Sequence, residues 1–197
     1  MTVLDEDRND MADANETGRT LDEMFEGLEG GAVPPGYKVE IVEGAIYMSP
    51  QRDTHWEITA HLYEQLRTRY PLKRLKSDVR IDYPGGLNGF ATDLTLLAED
   101  AAKDARGRWR AEDVLLAAEV VSRSTAANDY GPKLRAYAAA EVPVYLVVDP
   151  YQGRCHVHTQ PKDGEYLSEL TVAFGADVDL TGTPVGLTLA TGEFPRD

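Results

Sequence analysis

Two short runs, Val114–Val121 and Val144–Asp149, are apolar almost throughout. Apolar runs of this length, bounded by polar and turn residues, read as strands covered on both faces. Asp129–Glu141 lies between them and reads as a helix, with Pro132 near its first turn, where a missing N–H matters least. A chain that must cover both faces of these strands builds a layered structure of sheet and helices. Upstream, Lys38–Ser49 alternates around Glu43-Gly44 as a hairpin, and Ile58, Leu62 and Leu66 mark a helix over Thr54–Arg69 that Pro71 ends. Ser77–Tyr83 and Phe90–Ala98 read as two further strands joined through Pro84-Gly85-Gly86 and Asn88-Gly89. Arg154–Thr159 and Tyr166–Phe174 suggest a second hairpin, while the Gly/Thr-rich last twenty residues carry no clear pattern. The expected core is therefore α-β-β-β-α-β, a mixed α+β sheet with an N-terminal hairpin and a C-terminal β extension.

Charge narrows the function classes. Asp+Glu number 34 against 20 Lys+Arg, giving a formal −14. Ten of those acids fall within residues 1–30, opposed only by Arg8 and Arg19. Residues 1–19 are expected to form a disordered acidic tail and residues 20–197 a single domain, with a short helix over Thr20–Leu28. No signal-peptide pattern and no apolar run of about 20 residues is present, so a cytoplasmic chain with no membrane partner is expected. One cysteine, Cys155, leaves no disulfide framework and no multi-thiolate zinc site. The sequence contains no GxSxG, P-loop or GxGxxG pattern. One stretch opposes the acidic trend: Arg67, Arg69, Lys73, Arg74, Lys76 and Arg80 stand against Asp78 alone. It is either a solvated helix end or a patch for nucleic-acid phosphates.

The most informative residues are carboxylates set into apolar strands. Asp93 interrupts Phe90–Leu97, and Glu119 interrupts Leu115–Val121. A buried carboxylate needs a proton, a cation or a metal beside it. If these two strands are neighbours, both acids converge, and hard oxygen ligands at a partly open site suit Mg²⁺ or Mn²⁺. Glu40, between Val39 and Ile41, is a third candidate acid. The alternative for Asp93 and Glu40 is an exposed strand face. After Glu119, Ser122, Arg123, Ser124 and Thr125 lead into a helix on which Lys133 and Tyr137 share a face. These groups form either an anion cradle or ordinary helix caps with a solvated lysine. His55, three residues before Ile58, reads as facing the core.

These residues together resemble one family. Glu40-Ile41-Val42-Glu43-Gly44, Met48-Ser49-Pro50 and His55 are followed in order by Thr92-Asp93-Leu94 and Ala118-Glu119-Val120-Val121-Ser122. Ser124-Thr125, Asp129, Lys133, Tyr137 and Tyr145–Pro150 complete the series. Over roughly residues 37–160 the chain resembles the bacterial Uma-type restriction-endonuclease family of the PD-(D/E)XK nuclease superfamily. The resemblance implies a restriction-endonuclease-like core and a Mg²⁺- or Mn²⁺-dependent endonuclease acting on DNA. It implies Asp93 and Glu119 as metal ligands. Val121 stands where the motif lysine is usual, so Lys133 on the next helix takes the migrated role. Glu40 matches the early glutamate, and His55, Asp129 and Tyr137 match positions with supporting roles. Ser122 is a candidate to orient phosphate, and Arg67, Arg69, Lys73, Arg74 and Lys76 are candidates to hold flanking nucleic acid. A homodimer would allow paired cuts. The chain departs from the family at Thr92, where a proline is usual, and at Glu141, Val144 and Leu146. The reading of a different class is a non-catalytic binding module on the same fold, which the −14 charge favours.

Overall fold

The structure is a computed structural model that describes residues 18–29, 31, 33–34, 36–50 and 52–197; the acidic segment 1–17 lies outside the described residues. Helix α1 (Leu21–Glu29) opens on a capping box: Thr20 N–H donates to Glu23 Oε2 at 2.7 Å, and Glu23 N–H donates to Thr20 Oγ1 at 3.3 Å. The expected hairpin forms as β1 (Tyr37–Val42) and β2 (Ala45–Pro50). Glu43 and Gly44 both take positive φ (49° and 77°), the twist that a two-residue hairpin turn requires. Helix α2 (Asp53–Arg67) follows and buries Ile58, Leu62 and Leu66.

The next two strands depart from the sequence reading. The strand expected over Phe90–Ala98 divides between two sheets, and the one expected over Ser77–Tyr83 starts only at Val79, after a separate short strand that precedes it. β3 (Leu75–Lys76) and β4 (Val79–Tyr83) are separated at Asp78, which sits at φ 54°. β5 (Asn88–Thr92) and β6 (Leu94–Leu97) are separated at Asp93. Asp78 N–H donates to Thr92 carbonyl oxygen at 3.1 Å, tying the two breaks together. An aspartate enters the left-handed region more readily than most residues, so the bend falls there. Strands that pass from one sheet to another do so through such bends.

β7 (Val114–Val120) and β8 (Val144–Asp149) form the centre, paired in parallel. They join β9 (Arg154–Lys162) and β10 (Glu165–Ala173) in a six-stranded sheet of order β10-β9-β8-β7-β6-β3. A smaller sheet has order β2-β1-β5-β4. The helix expected over Asp129–Glu141 is the shorter α4 (Pro132–Ala139), preceded by a one-turn helix, α3 (Ala126–Asp129), that was not expected. Gly131 leaves helical geometry (φ −133°, ψ −94°), and Pro132 has no N–H with which to carry the α3 ladder through.

Period-two alternation sorts β7 between its faces. Leu116, Ala118 and Val120 pack with α2; Ala117 and Val121 pack toward Ala136 and Tyr137 of α4 and toward Ile81 and Phe90 of the smaller sheet. The pattern-poor C-terminus forms a small hairpin, β11 (Val178–Asp179) with β12 (Thr188–Leu189). Its Val178, Leu180, Val185 and Leu189 close the core around α2, and Gln65 of α2 pairs with both backbone groups of Ala190. Among the described residues no helix is long and apolar enough to cross a membrane. Leu62 is fully enclosed between α2 and the large sheet, so Leu62→Ala is expected to destabilise the chain by about 2–5 kcal/mol in urea denaturation.

Candidate active site

The bend at Asp93 delivers a carboxylate where the two sheets meet. The β6–β7 register pairs Leu94 with Ala118, which puts Asp93 across from Glu119 on the face turned toward α4. Eight side chains gather here: Lys38 and Glu40 from β1, His55 from α2, Asp93, Glu119 from β7, Asp129 from α3, and Lys133 and Tyr137 from α4. Side-chain exposure is 8% for Lys38, 4% for Asp93, 1% for Glu119 and 3% for Lys133. The proposed exposed-face alternatives for Asp93 and Glu40 are thus not what the fold adopts.

Asp93 and Glu119 each have one oxygen pinned and one turned to a shared point. Asp93 Oδ2 accepts the Val120 N–H at 2.8 Å and lies 2.8 Å from His55 Nε2. Glu119 Oε1 accepts Tyr137 Oη at 2.8 Å and Lys133 Nζ at 3.0 Å. The Tyr137 phenol has a single proton, given to Glu119, so Thr92 Oγ1 at 2.8 Å is the donor to the phenol oxygen. Thr92, the residue in the usual proline position, thereby becomes part of the support for Glu119. The remaining oxygens, Asp93 Oδ1 and Glu119 Oε2, both face Lys38 Nζ at 2.6 and 3.5 Å. Glu40 holds Lys133 rather than facing that point: its Oε2 is 2.6 Å from Lys133 Nζ, and its Oε1 accepts the Ala91 N–H at 3.0 Å. Asp129 lies 3.3 Å from Lys133 Nζ, one helical turn earlier.

The electrostatics follow from burial and pairing. Burial pushes the Asp93 carboxyl up, but Lys38 and His55 more than reverse it and hold it well below the usual carboxylate range. Burial pushes Glu119 up to about 7, with Lys133 and Lys38 opposing and Glu40 and Asp93 adding to the rise. Asp129 rises to about 6, again through burial, against the pull of Lys133. Burial disfavours the Lys133 ammonium, yet Glu119, Glu40 and Asp129 override it, so the lysine stays charged well above its ordinary value.

Four carboxylates against two ammonium groups leave two formal negative charges when all ionise. Among the described residues no group of three or more His, Cys, Asp or Glu side chains is placed to hold a metal ion by itself. The donor set instead suits Mg²⁺, which needs only one or two carboxylates beside water. One oxygen from each of two acids already converges on a cation, the ammonium of Lys38.

Lys38 was not among the residues singled out in the sequence. Its signal was available: it stands two residues from Glu40 on one strand and so shares its face. Ser122 is buried just past β7 and bonds Thr125 N–H through its carbonyl; it is not among the groups that hold the carboxylates. The basic stretch makes its hydrogen bonds and ion pairs outside the carboxylate cluster. Arg67 is twelve residues along α2 from His55, about 18 Å at 1.5 Å per residue. Arg67, Arg69 and Arg74 donate to the carbonyls of Tyr70, Gly186 and Leu97, and Lys76 to that of Lys73. Lys73 lies exposed beside them. Arg80 is engaged by Asp22 of α1 and by Asp82, with Arg108 joining both acids.

The raised Glu119 has a measurable consequence. Between its ordinary value of 4.5 and about 7, the folded chain keeps a proton that the unfolded chain has lost, so stability falls as pH rises through that window. Glu119→Gln never ionises. In chelator, its stability relative to the parent is expected to rise by about 2–3 kcal/mol between pH 5 and pH 8 in urea denaturation. Parallel pH profiles for the two chains would contradict this assignment.

Comparison with known proteins agrees with this architecture. A solved structure described as a "putative nuclease belonging to DUF820", from Anabaena variabilis ATCC 29413, superposes with a TM-score of 0.67 at 13% identity. The match covers 89% of this chain and 97% of that one, and it shows a shared, restriction-endonuclease-like fold. No curated protein matches the sequence. The model of the family described as "Putative restriction endonuclease" (Uma2) matches residues 22–192, a span holding every residue of the carboxylate–lysine cluster, and the chain belongs to that family.

Proposed function

We propose that the chain is a divalent-cation-dependent endonuclease that hydrolyses phosphodiester bonds, with DNA as substrate. The observation that carries this reading is the convergence of Asp93 Oδ1 and Glu119 Oε2 on one cation, with Lys133 on the other oxygen of Glu119. Asp93 and Glu119 are the residues that would hold Mg²⁺ or Mn²⁺. Bound there, the cation supplies Lewis-acid stabilisation of negative charge on a phosphoryl oxygen.

The chain's own residues do the rest. His55 and the Val120 N–H fix the Asp93 carboxylate, leaving Oδ1 available. Tyr137, backed by Thr92, does the same for Glu119. Lys133 stays protonated at neutral pH, so it acts as a fixed positive charge and proton donor rather than as a base. Its place beside Glu119 suits it to orient an attacking water or to stabilise charge that grows on the phosphate. Glu40 and Asp129 are positioning residues: they aim Lys133 and keep it charged. Ser122, just past β7, is a candidate to orient a phosphate.

A nicking assay on supercoiled plasmid tests this, with Mg²⁺, with Mn²⁺ and with chelator. The expected result is metal-dependent nicking that falls about 100-fold or more in Asp93→Asn and in Lys133→Ala, with folds retained by circular dichroism. Undiminished nicking by Asp93→Asn would sink this site. No cleavage of plasmid or single-stranded RNA by folded, metal-binding protein would move weight to the non-catalytic binding role.

A further inference from the structure

The two available carboxylate oxygens meet the ammonium of a lysine that no motif of the sequence marked. We infer that Lys38 is the resident counter-ion of the cation seat, and that it leaves the seat when a divalent cation takes up Asp93 Oδ1 and Glu119 Oε2. The inference rests on the metal-dependent reading above and adds a positioning residue to it.

Three observations carry it. First, Lys38 Nζ lies between the oxygens that would ligate the metal, 2.6 Å from Asp93 Oδ1 and 3.5 Å from Glu119 Oε2. An ammonium and a cation bridging the same two oxygens cannot share that place. Second, the two lysines of the cluster are held unequally. Lys133 Nζ has three carboxylates, at 2.6, 3.0 and 3.3 Å. Lys38 has one close partner, with Glu119 and Glu40 at 3.5 and 3.9 Å, so fewer short contacts break when its ammonium moves. Third, Lys38 has somewhere to go. It lines a cavity of about 480 Å³ together with Tyr37, Val39, Ala91 and Asp78. Asp78 is exposed and offers a carboxylate on the solvent side of that cavity. A lysine stem has four flexible carbons, so the ammonium can swing within that cavity while the backbone stays in place.

The physical role is clear from the burial. Without a counter-ion, two carboxylates this enclosed would repel one another and lack solvation. Lys38 compensates them in the metal-free chain and yields to a group of higher charge. A lysine-out state populated to about 10% or less lowers apparent metal affinity about tenfold or more.

The test reads the lysine and the metal separately. Proton–nitrogen NMR of the lysine ammonium groups in the full chain, assigned through bonds, is expected to show protected signals for Lys38 and Lys133. On titration with Mg²⁺, the Lys38 signal should be lost to exchange with water, while the Lys133 signal persists. Calorimetry should show Lys38→Met binding Mg²⁺ about tenfold tighter or more. Mg²⁺ binding by the parent with the Lys38 signal unmoved would overturn the inference, even if Lys38→Met binds more tightly, because the gain would then be mere removal of charge. The metal-dependent reading would survive that result. Mg²⁺ binding by neither the parent nor folded Lys38→Met would overturn both. The NMR titration uses the parent chain and stands if Lys38→Met does not fold.

Discussion

Asp93 and Glu119 face each other across neighbouring strands in a place almost closed to water, and the local architecture has to answer that repulsion. Two lysines, a histidine, a phenol and a backbone N–H converge to do so. Such a cluster is weak evidence for stability, since well-packed apolar residues would serve a fold as well or better. The raised Glu119 and Asp129 show that the compensation is incomplete. Groups held in this way are characteristic of sites whose chemistry needs them, at some cost to the stability of the fold.

The geometry depends on a bend rather than on a loop. The paired breaks at Asp78 and Asp93 let one hairpin serve two sheets, so that β1 of the smaller sheet can bring Lys38 and Glu40 against β7 of the larger. Each element then contributes little by itself. β1 supplies an alternating Lys-x-Glu, β7 one odd-numbered acid, and α4 a lysine and tyrosine one turn apart. Asp129 and Lys133 keep their i,i+4 contact at 3.3 Å across the break between α3 and α4.

The negative charge of the chain is also redistributed by the fold. Asp22, from the acidic N-terminal region, bonds Arg80, Arg106 and Arg108, and Phe25 lies under Arg80. The Asp22 charge is therefore neutralised by contact with the body of the chain. Exposed ion pairs of this kind add little stability individually, and α1 gains its place as well through Met24 and Leu28, both buried.

Much was legible without coordinates. The apolar runs of β7 and β8 fixed the central strands, because only a doubly covered strand tolerates them. The acids within such runs marked the site, because a buried charge demands a partner. Glu43-Gly44 and Pro71 marked a turn and a helix end by their backbone chemistry alone. What the sequence did not display was which distant residues would answer those acids. Lys38 and Glu119 lie 81 residues apart, and Thr92 and Tyr137 lie 45 apart; neither pair leaves a local pattern. The division of the Phe90–Ala98 strand between sheets, the docking of the C-terminal hairpin on α2 and the carbonyl contacts of the basic stretch are likewise long-range outcomes. Local periodicity reports which face of an element is buried. Only the packing of the two sheets against each other decided that one oxygen from Asp93 and one from Glu119 would face the same cation.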